Sequence, residues 1–142
     1  VSIFDIGIGG GNMAIANTSG GIMQDIFGNM RSGAFRDLRT SSGNGEWHVR
    51  LGSGNGFVQF SPQLSLENLG NLAISGSANG GVSLELRQGE IIREIEIAPN
   101  GANGAVAVGG VDTAGFTAGR VLLRMSFAQA ENVDLLVSWD GR

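Results

Sequence analysis

One stretch of the chain decides its fold class: residues 82–97, which read VSLELRQGEIIREIEI. Apolar and polar side chains alternate on both sides of Gln88-Gly89, which is the period of a β-strand with one buried face. Glycine also allows the positive φ that a tight turn needs. The stretch therefore predicts a β-hairpin. The expected pairs are Leu86 with Ile91 and Val82 with Ile95. The same register sets Arg93 opposite Leu84.

The C-terminal part of the chain has the same period. Apolar side chains alternate with other residues in 121–127 and again in 133–139, and the five residues AQAEN lie between these segments. Pairing Phe127 with Val133 sets apolar residues opposite one another at each inward position, which supports this register. The pattern predicts a second hairpin, and we expect its outward leucines, Leu122 and Leu136, to form an apolar patch.

Shorter alternating segments predict further strands. In the clearest of them, Glu46 to Leu51, the apolar residues face inward and His48 faces outward. Clusters such as Gly54-Asn55-Gly56 and Asn79-Gly80-Gly81 separate the segments at hairpin spacing. The predicted fold class is therefore all-β, an antiparallel β-sandwich of jelly-roll-like form. The other predicted strands are 34–40, 57–60, 71–75 and 105–108.

One segment has a helical period, and it predicts a single short helix near residues 22–30 that plugs an end or edge of the sandwich. The predicted organisation is an N-terminal strand with a glycine hinge, residues 1–11, followed by a β-sandwich domain, residues 12–142. The apolar residues at helical spacing are Ile22, Met23, Ile26, Phe27 and Met30.

Composition excludes several classes of function. The chain has 142 residues, of which 25 are glycine and none is cysteine, and its nine basic residues are all arginine. Without cysteine there is no disulfide, thiol or zinc-finger chemistry, and without lysine there is no Schiff base. A net charge of −4 with no basic stripe argues against nucleic acid as a partner. No apolar run approaches the ~20 residues needed for membrane insertion.

Patterns typical of catalysis or metal binding do not occur. His48 is the single histidine, and the chain has no G-x-S-x-G motif to supply a nucleophile beside it. Glu94 and Glu96 form the nearest pair of carboxylates, and they face outward as on a solvated strand. No spacing resembles zinc or calcium ligands. We therefore expect no enzymatic activity, no cofactor and no metal ion.

The first eight residues suggest a connection between subunits. Phe4, Ile6 and Ile8 alternate with other residues, and Gly9-Gly10-Gly11 follows them. An apolar terminal strand on a glycine hinge can complete the sheet of a neighbouring copy. The alternative is that this strand pairs within its own sandwich.

The composition also suggests a location. The chain begins at Val1 and is rich in glycine, serine and asparagine, which fits a secreted protein. We expect a processed mature form that acts outside the cell or at its surface.

Residues 32–39, SGAFRDLR, resemble the R-D-L opening strand of exosortase-sorted surface proteins of the PEP-CTERM type. The segment from Gly110-Val111-Asp112-Thr113 to Leu135-Leu136-Val137 resembles the ending of the same family. The C-terminal residues are also similar to the last strands of jelly-roll carbohydrate-binding modules. Both resemblances imply an extracellular β-protein, and neither assigns a functional residue.

Two functional hypotheses follow. The first is a secreted structural or adhesive surface protein that self-associates into a filament or matrix, by strand exchange or through Leu122 and Leu136. The alternative is a non-catalytic carbohydrate-binding module, which would stack exposed rings on a polysaccharide. Both tryptophans fall on inward faces, so Phe57 and Phe116 are the candidate sugar-stacking rings.

Overall fold

Antiparallel β-structure makes up most of the chain. The computed structural model describes residues 12–24, 30–43, 45–99 and 101–140. Within these ranges one short helix, α1 (Leu66–Gly70), and a 3₁₀ turn (Ala102–Gly104) accompany the strands. The strands are β1 (Asn12–Gln24), β2 (Met30–Gly43), β3 (Glu46–Phe60), β4 (Gln63–Leu64), β5 (Ala73–Gln88), β6 (Ile91–Ile97), β7 (Ala105–Val108), β8 (Gly119–Arg120) and β9 (Leu122–Ser138).

One large sheet contains most of these strands. Its order is β1-β2-β3-β9-β5-β6, and β7 pairs with β5 beside β6. All of its pairings are antiparallel. β4 and β8 form a separate two-stranded ribbon. The all-β antiparallel fold class predicted from the sequence is confirmed.

The large sheet bends back on itself. Trp47 and Phe60 lie near opposite ends of β3, and a straight strand would separate them by roughly 40 Å. Their rings instead stack with centroids 5.9 Å apart. Phe60 also stacks on Trp139, just beyond the end of β9, at 6.3 Å. The long strands therefore run through both layers of a sandwich, and the two ends of each strand face one another across the core.

The two layers, or leaves, follow from the strand register. The first leaf contains 38–43 of β2, 46–51 of β3, 133–138 of β9, 73–77 of β5, and β7. The second leaf contains 30–36, 53–60, 122–128 and 79–88 of the same strands, and β6. Their inner faces share one apolar core. Fully buried members include Trp47, Val49, Ile74, Leu135 and Val137 from the first leaf and Leu84, Leu86, Leu123 and Met125 from the second.

β-Bulges keep the same face of each strand buried through the bend. In β3 the buried residues run through odd positions up to Leu51 and resume at Val58. Val58 is seven positions after Leu51, an odd step, so the buried positions of β3 change from odd to even numbers. The register of β3 against β9 shifts between Gly54 and Gly56, where two residues of β9 lie opposite Asn55. The register of β5 against β9 shifts twice between Ser77 and Gly81. The buried residues of β5 have even numbers before these shifts and again from Val82 onward.

The predicted C-terminal hairpin is wrong, because 128–132 is not a loop. β9 continues through these residues as one strand, paired with β3 on one side and β5 on the other. Gln129 and Asn132 adopt φ values of 52° and 50° there, so the strand absorbs its extra residues without turning back. Gly54-Asn55-Gly56 and Asn79-Gly80-Gly81 likewise lie inside strands, beside this segment, and form part of the bend.

The predicted hairpin of residues 82–97 is confirmed, but its register is shifted by two residues. Gln88 pairs with Ile91 around a two-residue turn, and Leu86 faces Arg93. The shift is accommodated because segment 109–118 lies beside the inner face of β6. There the Nη2 of Arg93 donates a hydrogen bond to the carbonyl of Ala114, at 2.7 Å.

The single described helix is not where the sequence predicted it. Residues 22–24 and Met30 belong to β1 and β2, and residues 25–29 lie outside the described ranges. α1 instead begins after Ser65, whose side chain forms a reciprocal capping box with Asn68. Asn68 also donates to the carbonyl of Trp139, at 2.9 Å. Helix α1 therefore closes the sandwich at the end opposite the bend.

The N-terminal strand and hinge predicted for residues 1–11 lie outside the described residues. In the part of the chain that the structure describes, no helix has the length and hydropathy that crossing a bilayer requires.

The bend predicts an unequal response to two glycine substitutions. A Cβ on Gly76, which has a φ of 129°, would lie 1.9 Å from the carbonyl oxygen of Asp134. We expect Gly76→Ala to lower the free energy of unfolding by about 2–4 kcal/mol. Gly109→Ala is the matched control, because its Cβ would meet no atom within 4 Å. Urea denaturation measures both variants, and equal midpoints would contradict the bend.

Candidate functional site

A polar groove of about 450 Å³ lies on the outside of the bend, where β2, β3 and β9 change direction. We call it the bend groove. Its volume falls within the range of ordinary small-molecule sites. The side chains are mostly charged or amide-bearing, and they come from three neighbouring strands. The residues used below are Asp37, Arg39, Arg50, Gly52, Asn132 and Asp134.

Asp134 is shared by two partners on the adjacent strand. Its Oδ1 lies 2.5 Å from Nε2 of His48, and its Oδ2 lies 3.5 Å from Nη2 of Arg50. The Asp134 side chain is 47% exposed and that of Arg50 56% exposed. Ion pairs with this exposure contribute only about 0–1 kcal/mol to stability. The contacts therefore serve mainly to fix the orientations of the carboxylate and the guanidinium at the groove.

Two arginines stand side by side in the bend groove. Arg39 of β2 is directly opposite Arg50 of β3, and Arg50 is directly opposite Asp134 of β9. Like charges that face one another across strands are unfavourable. Asp134 compensates Arg50, whereas the guanidinium of Arg39 makes no hydrogen bond or ion pair with a described residue. The bend groove thus presents the Arg39 guanidinium without an ion-pair partner among the described residues, while Asp37 also lines the groove.

Backbone strain is also concentrated here. Asp37 and Asn132 line the bend groove with φ values of 56° and 50°. The left-handed region costs an L-residue roughly 1–2 kcal/mol, although aspartate and asparagine tolerate it better than most. Glycine would adopt the same conformation freely. The bend therefore carries polar side chains at two positions where its geometry favours glycine.

The contacts of His48 do not assemble a nucleophile. Ser41 is the register partner of His48 on β2, but among the described residues the hydrogen bond of the imidazole goes to Asp134. Nucleophilic catalysis needs the attacking hydroxyl within hydrogen-bond reach of its base. No group of three histidine, cysteine or acidic side chains in the described ranges is arranged to hold a metal ion.

The two rings proposed for sugar stacking are not exposed platforms. Phe116 is only 6% exposed and belongs to the core cluster, so its predicted outward position is wrong. Phe57 is half-buried, and the guanidinium of Arg124 lies over its ring at 4.2 Å from the centroid. Both tryptophans are buried, as predicted.

The leucine patch proposed for assembly does not form. Leu122 and Leu136 are both half-buried and face outward, but Leu122 belongs to the second leaf and Leu136 to the first. Since the leaves face each other through the core, these residues lie on opposite sides of the sandwich. Phe4, Ile6 and Ile8 lie outside the described residues.

Sequence reasoning missed the bend groove. Arg39 and Arg50 are 11 positions apart, and both stand at outward positions of alternating strands. That alternation is the only local signal. Their meeting with Asp134 depends on the pairing of three strands from distant parts of the chain.

Comparison with known proteins gives no relative to set beside this fold. No family model matches the chain, and no curated protein or solved structure matches it either.

The burial of the two rings predicts different costs for their removal. Phe116→Ala should lower the free energy of unfolding by about 3–5 kcal/mol, because it leaves a cavity in the core. Phe57→Ala should cost about 1 kcal/mol, since it removes a half-buried ring and one cation–π contact. Chemical denaturation of the two variants checks this, and a larger loss for Phe57→Ala would contradict the assignment of Phe116 to the core.

Proposed function

We propose that this protein is a secreted, non-catalytic structural or adhesive surface protein that self-associates by strand addition. The observation that carries the proposal is the edge of the sheet formed by β1. This strand is 13 residues long, and within the described ranges it pairs only with β2. Among the described residues its other edge has no partner strand, which supports the addition of a strand from another copy.

The sequence of β1 lacks charge and proline, two common protections of an edge strand, while two register shifts interrupt its pairing with β2. It reads NMAIANTSGGIMQ and contains no charged residue and no proline. Soluble proteins commonly blunt such edges with charges, prolines or short strands, because exposed backbone groups pair with other chains. An edge strand of this length without these features favours β-augmentation.

The opposite edge of the second leaf differs. β6 has only seven residues, and it carries the exposed Glu94 and Glu96. Glu94 is also directly opposite Glu85 of β5, so charge is already concentrated along this edge. A second strand beside β6 would have to approach these carboxylates. The contrast supports β1 as the edge that accepts a neighbour.

The proposed donor is the N-terminal segment, residues 1–8. Burial of Phe4, Ile6 and Ile8 against a neighbouring copy would contribute roughly 5–8 kcal/mol before ordering costs. Gly9-Gly10-Gly11 would serve as the hinge between donor strand and sandwich. Donor and acceptor on one chain give head-to-tail growth, which suits a filament or matrix.

Lysines on β1 should block assembly. We expect the double variant Met13→Lys/Ile15→Lys to be folded and monomeric, because charged side chains disfavour strand addition. Ile92→Lys on β6 is the matched control, since it adds a lysine to the other edge at a side chain that is 50% exposed. Light scattering after size exclusion over a range of concentrations measures the mass. Assembly that survives the β1 changes, or is lost equally in the control, contradicts the proposal.

The donor strand is tested separately. Deletion of residues 1–8 should give soluble monomers, and a synthetic peptide of residues 1–8 should bind to them. Persistent assembly of the truncated chain would show that another surface connects the copies.

A non-catalytic carbohydrate-binding module is the second candidate. The polar bend groove favours it, since carboxylate, amide and guanidinium groups suit hydroxyl-rich ligands. The positions of Phe57 and Phe116 weigh against a module that relies on an aromatic platform.

A further inference from the structure

The charged side chains of the bend groove favour one class of ligand. Arg39 and Arg50 present neighbouring guanidinium groups, and the partners of Asp134 among the described residues are Arg50 and His48. A guanidinium binds a carboxylate through two parallel hydrogen bonds, which neither a hydroxyl nor an amide reproduces. A ligand carboxylate placed over the pair would relieve the repulsion between the two arginines.

The other side chains that line the groove suit a ligand that is rich in hydroxyl groups. The Asn132 amide both donates and accepts hydrogen bonds. The charges of Asp37, Arg39, Arg50 and Asp134 sum to zero, and the chain has a net charge of −4. A polyphosphate or nucleic acid would meet two carboxylates and would gain little net electrostatic attraction in this groove. A ligand with a single negative charge per unit does not need a stronger net attraction than the groove provides.

We propose that the bend groove binds uronate units of an acidic polysaccharide, with Arg39 and Arg50 holding the carboxylate and Asn132 the hydroxyls. The proposal does not depend on self-association, and it places saccharide recognition on polar side chains instead of aromatic rings. It also gives a reason why Asn132 occupies a left-handed position that glycine would fill more easily.

Binding of defined trisaccharides tests the charge requirement. The probes are trimers of galacturonate, glucuronate, mannuronate and guluronate, each compared with its fully methyl-esterified form by calorimetry on the full chain. We expect at least one acid form to bind, and its ester to bind at least about tenfold more weakly, because esterification removes the charge and keeps the sugar body. Equal binding of acid and ester overturns the proposal, as does no binding of any acid form at millimolar concentration.

Arginine variants locate the site. Arg39→Gln should weaken binding of the acid form at least about tenfold. Arg36→Gln is the matched control, because Arg36 is an exposed arginine of the same strand that does not line the groove. It should change the affinity less than twofold. Equal losses in both variants would indicate diffuse charge attraction and overturn the assignment.

Glycine variants separate binding from folding. Asn132→Gly removes the amide and relaxes the backbone, so it should weaken binding about fivefold or more without lowering the melting temperature. Gln129→Gly provides the control, since Gln129 has the same left-handed conformation in the same strand and lies outside the lining. It should leave binding unchanged. Retained affinity in Asn132→Gly contradicts a role for Asn132 in holding the ligand.

Discussion

The stacking of Trp47 on Phe60 requires the large sheet to bend back on itself, and the rest of the structure depends on that bend. A flat sheet of such long strands would expose its apolar face, whereas the bent sheet buries both halves of that face against each other. The bend is accompanied by bulges whose extra residues lie in β9, and glycines of β3 and β5 lie opposite them. The bend groove and the long β1 edge are both products of this geometry.

Alternation of side chains was enough to predict the β class, the inward face of Glu46 to Leu51 and the hairpin at 82–97. It was not enough to distinguish a turn from a bulge. Glycine and asparagine favour both, so Gly54-Asn55-Gly56 was predicted as a turn although it lies within β3. The difference depends on whether neighbouring strands remain paired through the segment, which is a long-range property. For the same reason residues 128–132 were predicted as a hairpin loop, and Arg39, Arg50 and Asp134 were not recognised as neighbours.

The two proposed roles use different parts of the sandwich. Strand addition would use backbone groups along β1, whereas saccharide binding would use side chains on the outside of the bend. β2 connects these regions, because it pairs with β1 on one side and contributes Asp37 and Arg39 to the bend groove on the other. A protein that joins copies of itself at one edge and holds an acidic polysaccharide at the bend would act as a cross-link in an extracellular matrix.

The contact between Trp47 and Phe60 is the most direct test of the bent sheet. Nuclear Overhauser effects between the two rings can be recorded in solution on a sample with selectively labelled tryptophan and phenylalanine. The bent sheet predicts cross-peaks between the Trp47 indole and the Phe60 ring, and also between Phe60 and Trp139. Cross-peaks from Trp47 to its strand neighbours without any to Phe60 would show that β3 does not fold back, and would contradict the account.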